Sequence, residues 1–306
     1  MNAITVAPAI ALKRPSVHLP EQPNIVVDRS TDAAPIKSDV VSSNADAPKS
    51  AYPAAAKLPT QVGPKGLHFD FNDGARIVCP HGEQPWKVRI RDLDTGNVLF
   101  ETEFAGGYVN SSKRYYIRFG IEVSQQGESV LDHEYSAKDR AVLIQFPVGT
   151  LGDTMGWFPY AVKFKDKHGC KLSCAMGAPL IELFRDAYPD IEFITHEEVK
   201  PERYYATYSV GLFFDDKDCV YQPSDFRHVG LHRTAGYILG VDLTEQPPRV
   251  AIKDDKRPIA EPYVCIAVQS TAQSKYWNNP HGWREIVNFL KAAGYRVVCI
   301  DQKATH

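Results

Sequence analysis

Apolar and polar positions alternate along residues 67–139. Trp86, Val88 and Ile90 interleave with Lys87, Arg89 and Arg91, Asp94-Thr95-Gly96-Asn97 supplies a turn, and residues 98–104 resume as the hairpin partner. Tyr115, Ile117, Phe119, Ile121 and Val123 repeat the same period of two. This pattern predicts a small antiparallel β domain, a sandwich or a barrel. At Ala141 the grammar changes. Ala141-Val-Leu-Ile-Gln-Phe146 is a continuous apolar run of the kind buried in a parallel sheet. Strand-like 171–176, helix-like 178–187, strand-like 191–194 and apolar 208–214 follow, then a helix-like 229–240 that ends at a glycine. Strands alternating with helices predict βαβ units in a doubly wound sheet. A proline- and charge-rich linker is expected over 243–262. Strand 263–268, helix 282–293 and strand 296–300 then open a second α/β unit.

Residues 1–64 break both patterns. They hold nine of the 22 prolines and a single aromatic, Tyr52, and show neither period. Such a segment buries too little apolar surface to offset its ordering entropy, so a disordered tail is expected there. The predicted organisation is thus a tail at 1–64, a β domain at 65–139, a first α/β domain at 140–242, the linker, and a second α/β domain begun at 263–306.

Composition narrows the function classes. The 306 residues carry 35 basic against 37 acidic side chains, a formal net charge of -2. That balance argues against a chain whose main task is coating nucleic acid. No run approaches the 18 or so apolar residues of a membrane span. The apolar stretch 1–12 lacks a basic n-region and is followed by Lys13-Arg14-Pro15, so it does not read as a secretory signal. Six cysteines at 79, 170, 174, 219, 265 and 299 form no disulfide framework, and Cys170-x-x-x-Cys174 has no second pair at metal-finger spacing. Reduced packing cysteines of a cytoplasmic protein are expected, with Cys265 and Cys299 buried in strands.

Two loops can carry chemistry. Phe146-Pro-Val-Gly-Thr150-Leu151-Gly152-Asp153 joins a buried strand to a helix, where α/β sheets bind ligands. Asp153 there is either a helix cap or a general base. The loop matches neither the dinucleotide fingerprint nor the Walker loop. The second, Gln269-Ser-Thr271-Ala-Gln-Ser274-Lys275, gathers hydroxyls and a lysine before a helix, which suits a phosphate-bearing ligand or an ordinary polar loop. Basic residues on the β domain's alternate face (Lys87, Arg89, Arg91, Arg118) and in Arg227-His228-Val-Gly-Leu-His232-Arg233 can meet an anion or simply face solvent.

Four stretches together resemble a known family. Asp70-Phe-Asn-Asp-Gly-Ala-Arg76, the loop 147–159, Gly236-Tyr-Ile-Leu-Gly-Val-Asp242, and 263–271 through Lys275-Tyr-Trp-Asn278 resemble the bacterial autotransporter heptosyltransferases, relatives of the lipopolysaccharide heptosyltransferases. The resemblance spans about 67–301. It implies an α/β fold with an all-β N-terminal domain and two facing Rossmann-like domains, the GT-B arrangement. It implies transfer of heptose from ADP-heptose to serine hydroxyls of an autotransporter adhesin in the cytoplasm, with homo-oligomers possible. By position, Asp153 matches the family's catalytic aspartate and Lys275 its diphosphate-holding lysine. Thr271 and Ser274 share the lysine's loop, and Thr150, Leu151 and Gly152 lie in the donor-facing loop. Family members continue for roughly another hundred residues, completing the second Rossmann-like domain and adding a cysteine-rich iron-binding finger. The chain is therefore expected to be C-terminally truncated, to bind no iron, and to be either a truncated transferase or a non-catalytic remnant that binds the adhesin or a partner.

Overall fold

A computed structural model of the protein describes residues 52–251, 256–270 and 272–301. It is a mixed α/β structure with three sheets. The antiparallel reading holds for one of them, ordered β5-β4-β7-β8: β4 (Trp86–Asp92), β5 (Val98–Phe104), β7 (Phe119–Gln125) and β8 (Glu128–Glu134). Trp86, Val88 and Ile90 are buried on one face, as the alternation requires. The opposite face is a ladder of ion pairs. Lys87 meets Glu101 at 3.0 Å, Arg91 meets Glu122 at 2.6 Å, and Arg118 reaches Asp94 and Glu134. Neutralised across strands, the basic stripe is a solvated sheet face rather than an anion site.

The remaining early strands do something the local pattern did not foretell. β1 (Gln61–Val62), β2 (His68–Asn72), β3 (Arg76–Cys79) and β6 (Gly107–Asn110) join the parallel strands β9 (Ala141–Gln145), β10 (Lys171–Ala175), β11 (Glu192–Ile194) and β12 (Ala206–Ser209) in one eight-stranded sheet, ordered β11-β10-β9-β12-β2-β3-β6 with β1 on β2. β2 pairs with β12 in parallel, Ala206 opposite Phe71. A domain boundary at 139/140 therefore runs through a shared sheet. One apolar core unites both sides, from Trp86 and Phe119 to Val142 and Phe164.

α1 (Leu151–His168), α2 (Ala178–Phe184), α3 (Phe226–Val229) and α4 (Arg233–Leu239) accompany this sheet. α1 buries Trp157, Phe158, Tyr160, Ala161 and Phe164, and stops where Gly169 adopts a left-handed conformation. α4 ends the same way at Gly240, over which the Tyr116 ring lies. From β9 the chain winds out through β10 to β11, then returns to place β12 on β9's other side. The carboxyl ends of β9 and β12 thus flank a topological switch point, the place where open α/β sheets take ligands.

Residues 1–51 of the expected tail lie outside the described residues, but 52–64 depart from it by packing onto the sheet. Ala56 and Pro59 are buried. The Tyr52 hydroxyl donates to the Val210 carbonyl at 3.0 Å and Thr60 Oγ1 to that of Tyr204 at 2.7 Å. Thr60 N donates to Asp70, and Arg76 Nη1 donates to the Ala56 carbonyl. The strap is held by backbone and polar contacts, which leave no apolar periodicity to read. The linker also partly packs: Arg249 N donates to Tyr188 Oη and Ala251 N to the Leu183 carbonyl.

β13 (Tyr263–Ile266), α5 (Gly282–Ala292) and β14 (Arg296–Cys299) form a separate parallel βαβ unit. On α5, Phe289 is 72% and Ile286 37% exposed, whereas Leu290 is half-buried. Cys265 and Cys299 are exposed, contrary to the buried positions expected for them, because a two-stranded sheet with one helix covers too little of its strands. Cys79, Cys170 and Cys174 are buried, Cys219 is half-buried, and no disulfide joins any of the six.

Candidate functional site

The loop after β9 carries the first candidate residues to the switch point. Gly149 takes a positive φ of 86°, turning the chain so that α1 starts at Leu151. Thr150 is the residue before the helix, and its hydroxyl bonds the Pro147 carbonyl at 3.3 Å and Thr154 Oγ1 at 3.2 Å. Asp153 sits in the first helical turn, half-buried. It makes no capping bond and no ion pair among the described residues.

Asp153 lines a cavity of about 410 Å³ with Thr150, Pro147 and Trp157 on one side, and Leu212, Phe213, Phe214 and Tyr221 from the loop after β12 on the other. Tyr52 of the strap completes the wall. A carboxylate in an otherwise apolar, aromatic enclosure is suited to accepting a proton from a bound hydroxyl. The Trp157 indole N–H donates to the Leu231 carbonyl at 2.7 Å, fixing that ring. Phe213 and Tyr221 stack at 4.8 Å, tying the two ends of the opposite loop together.

Beside this cavity lies a second one of about 220 Å³ that shares Tyr52 and Tyr221 with it. Asp73 and Arg114 form an ion pair on its wall. Burial raises the Asp73 carboxyl above the usual carboxylate range, and the Arg114 charge opposes that rise. Gln145, the last residue of β9, is 3% exposed and lines the same space.

The other candidates fall elsewhere. Leu151 is exposed, and Gly152 faces a different cavity of about 340 Å³, lined by Met155, Gly156, His232 and Glu245. Ser274 and Lys275 are exposed on the loop after β13, and no described contact joins them to Asp153. Thr271 lies outside the described residues. The basic run before α4 is largely spoken for: Arg227 pairs with Asp225, Arg233 pairs with Glu245, and the His232 ring packs where a Gly156 side chain would stand. Tyr52, Gln145, Phe213, Phe214 and Tyr221 were missed as site residues. The lone aromatic of residues 1–64 was the signal for Tyr52; the others have no motif. No three His, Cys, Asp or Glu side chains converge as metal ligands among the described residues.

The fold is shared with known proteins, and those proteins are named as glycosyltransferases. Residues 63–127 match the family model of the N-terminal domain of glycosyltransferase TibC. The chain is 52% identical over 248 residues to the autotransporter heptosyltransferase TibC of Escherichia coli O78:H11, covering 80% of this chain and 60% of that protein. It is 51% identical over 246 residues to BimC of Burkholderia thailandensis, described as an inactive autotransporter heptosyltransferase, covering 80% of this chain and 58% of BimC. A crystal structure of dodecameric, iron-containing TibC with ADP-D-β-D-heptose superposes with a TM-score of 0.78 at 50% identity, over 83% of this chain and 66% of that one. Along the shared span, about 80% of this chain, the curated relatives are autotransporter heptosyltransferases. The chain covers about 60% of the length of these curated relatives. The described residues do not fit an iron site of the kind named for TibC.

Proposed function

We propose that this chain serves heptose transfer from ADP-heptose to a serine hydroxyl of an autotransporter adhesin in the cytoplasm. On this reading it supplies the acceptor side of a GT-B site, and residues 263–306 open the donor domain. One observation carries the proposal: a half-buried carboxylate, Asp153, stands without a hydrogen-bond or ionic partner among the described residues on the wall of a cavity at the switch point. Asp153 takes the proton from the serine hydroxyl. The oxygen forms its bond to the anomeric carbon of heptose, and the bond from that carbon to the diphosphate oxygen breaks, its electron pair leaving with ADP. A positioned base contributes roughly 10²–10⁴-fold. Lys275, with Thr271 and Ser274, neutralises charge growing on the diphosphate; Thr150, Leu151 and Gly152 place the donor. Self-association, as in dodecameric TibC, belongs to the proposal.

The test is mass spectrometry of an adhesin fragment incubated with the chain and ADP-heptose, in which a heptose increment is expected. A second reading, a non-catalytic adhesin binder, is favoured by the 51% identity to a relative described as inactive. Adhesin binding without any increment would establish it instead.

A further inference from the structure

The cavity beside the Asp153 pocket holds a buried acceptor atom with no partner among the described residues. Gln145 is 3% exposed. Its Nε2 donates to the Pro53 carbonyl at 3.4 Å, but its Oε1 has no partner among the described residues. A buried acceptor left unmet is costly, so a native chain that keeps one has a donor for it in its working state. Of the other polar groups there, the Thr207 hydroxyl is already donated to Asn72 Oδ1 at 2.8 Å, and Asp73 and Arg114 neutralise each other. Gln145 Oε1 and the Ser209 hydroxyl remain for an incoming group.

Size and charge restrict what enters. About 220 Å³ is below the roughly 300 Å³ at which ordinary small-molecule pockets begin, and suits a side chain rather than a whole cofactor. The ion pair leaves no net charge to compensate a charged guest, whereas the orphan acceptor calls for a donor. The cavity also shares the Tyr52 and Tyr221 walls with the Asp153 pocket, so one extended ligand can fill both.

We propose that the Gln145 cavity reads the residue next to the acceptor serine, taking an uncharged hydrogen-bond-donating side chain such as asparagine. This rests on the Asp153 pocket being the acceptor site. The recognition is by one hydrogen bond to Gln145 Oε1, with Ser209 as second contact, and the strap residues Tyr52 and Pro53 closing the side.

The test is titration calorimetry of the full chain with serine peptides that carry asparagine, leucine or aspartate on either side of the serine. The asparagine peptide is expected to bind about tenfold more tightly than the leucine one, the worth of a net hydrogen bond to a buried acceptor. Gln145→Leu, shown folded by its urea transition, should erase that difference. The peptide series on the unaltered chain carries the same test if the variant does not fold. Equal affinities for all peptides would overturn the Gln145 pocket, leaving water as its guest, while keeping the acceptor reading. Tighter binding of the aspartate peptide would overturn the charge argument and with it the proposal. No binding of any peptide would overturn both.

Discussion

Removing the Arg76 side chain isolates a charge the fold has buried. Asp70 is fully buried and accepts five hydrogen bonds: from Arg76 Nε at 2.8 Å and Nη2 at 2.7 Å, from Asn72 Nδ2 at 2.7 Å and its N at 3.2 Å, and from Thr60 N at 3.0 Å. Arg76 Nη1 also holds the Ala56 carbonyl of the strap at 2.7 Å. In Arg76→Met the carboxylate keeps three neutral donors but loses its counter-charge and two charge-assisted bonds. Breaking one partner of a buried pair costs about 3–5 kcal/mol, and the surviving donors place this case near about 3. At about 2–4 °C per kcal/mol for a chain of this size, Tm should fall by about 6–12 °C. Arg76→Lys keeps the charge without the fork and should fall between. Urea unfolding gives the free energy, and limited proteolysis within 52–60 should quicken because the strap loses its anchor. A loss below about 1 kcal/mol with unchanged m would refute the reasoning.

Further expectations concern the helix ends and the donor loop. Burial lowers His168 from 6.5 to about 4, with Lys167 adding to the shift, and its Nε2 lacks a partner among the described residues. A depressed histidine leaves the unfolded chain binding more protons, so stability is full above pH 6.5 and falls between pH 6.5 and about 4; His168→Leu should flatten that part of a Tm–pH curve. Gly240→Ala should cost more than about 1 kcal/mol by urea unfolding, since φ is 60° and a Cβ would lie 2.3 Å from Tyr116 Cδ1. Lys275→Ala should raise the dissociation constant for ADP-heptose, and an unaltered constant by calorimetry would dismiss its role.

What the sequence made legible was periodic. The alternation around Val88 and the apolar run at 141–146 appear where the pattern puts them, because single-element burial writes itself into local spacing, whereas the helix expected over 229–240 keeps its glycine end but starts only at Arg233. The pairing of β2 with β12 joins residues about 135 positions apart and leaves no local trace. The same holds for the strap: Tyr52 meets Val210 through one hydroxyl, in a segment whose composition reads as unordered. Asp153 was found by its loop, yet the aromatic wall facing it comes from an irregular stretch, 212–221, where no period exists to be counted.

The central claim is that Asp153 removes the acceptor proton. Heptose transfer to an adhesin fragment, measured as single turnovers for the unaltered chain and Asp153→Asn alongside calorimetry with ADP-heptose, tests it directly. The account predicts loss of transfer by at least about 10²-fold with donor affinity retained. Equal turnover by the two proteins would contradict it.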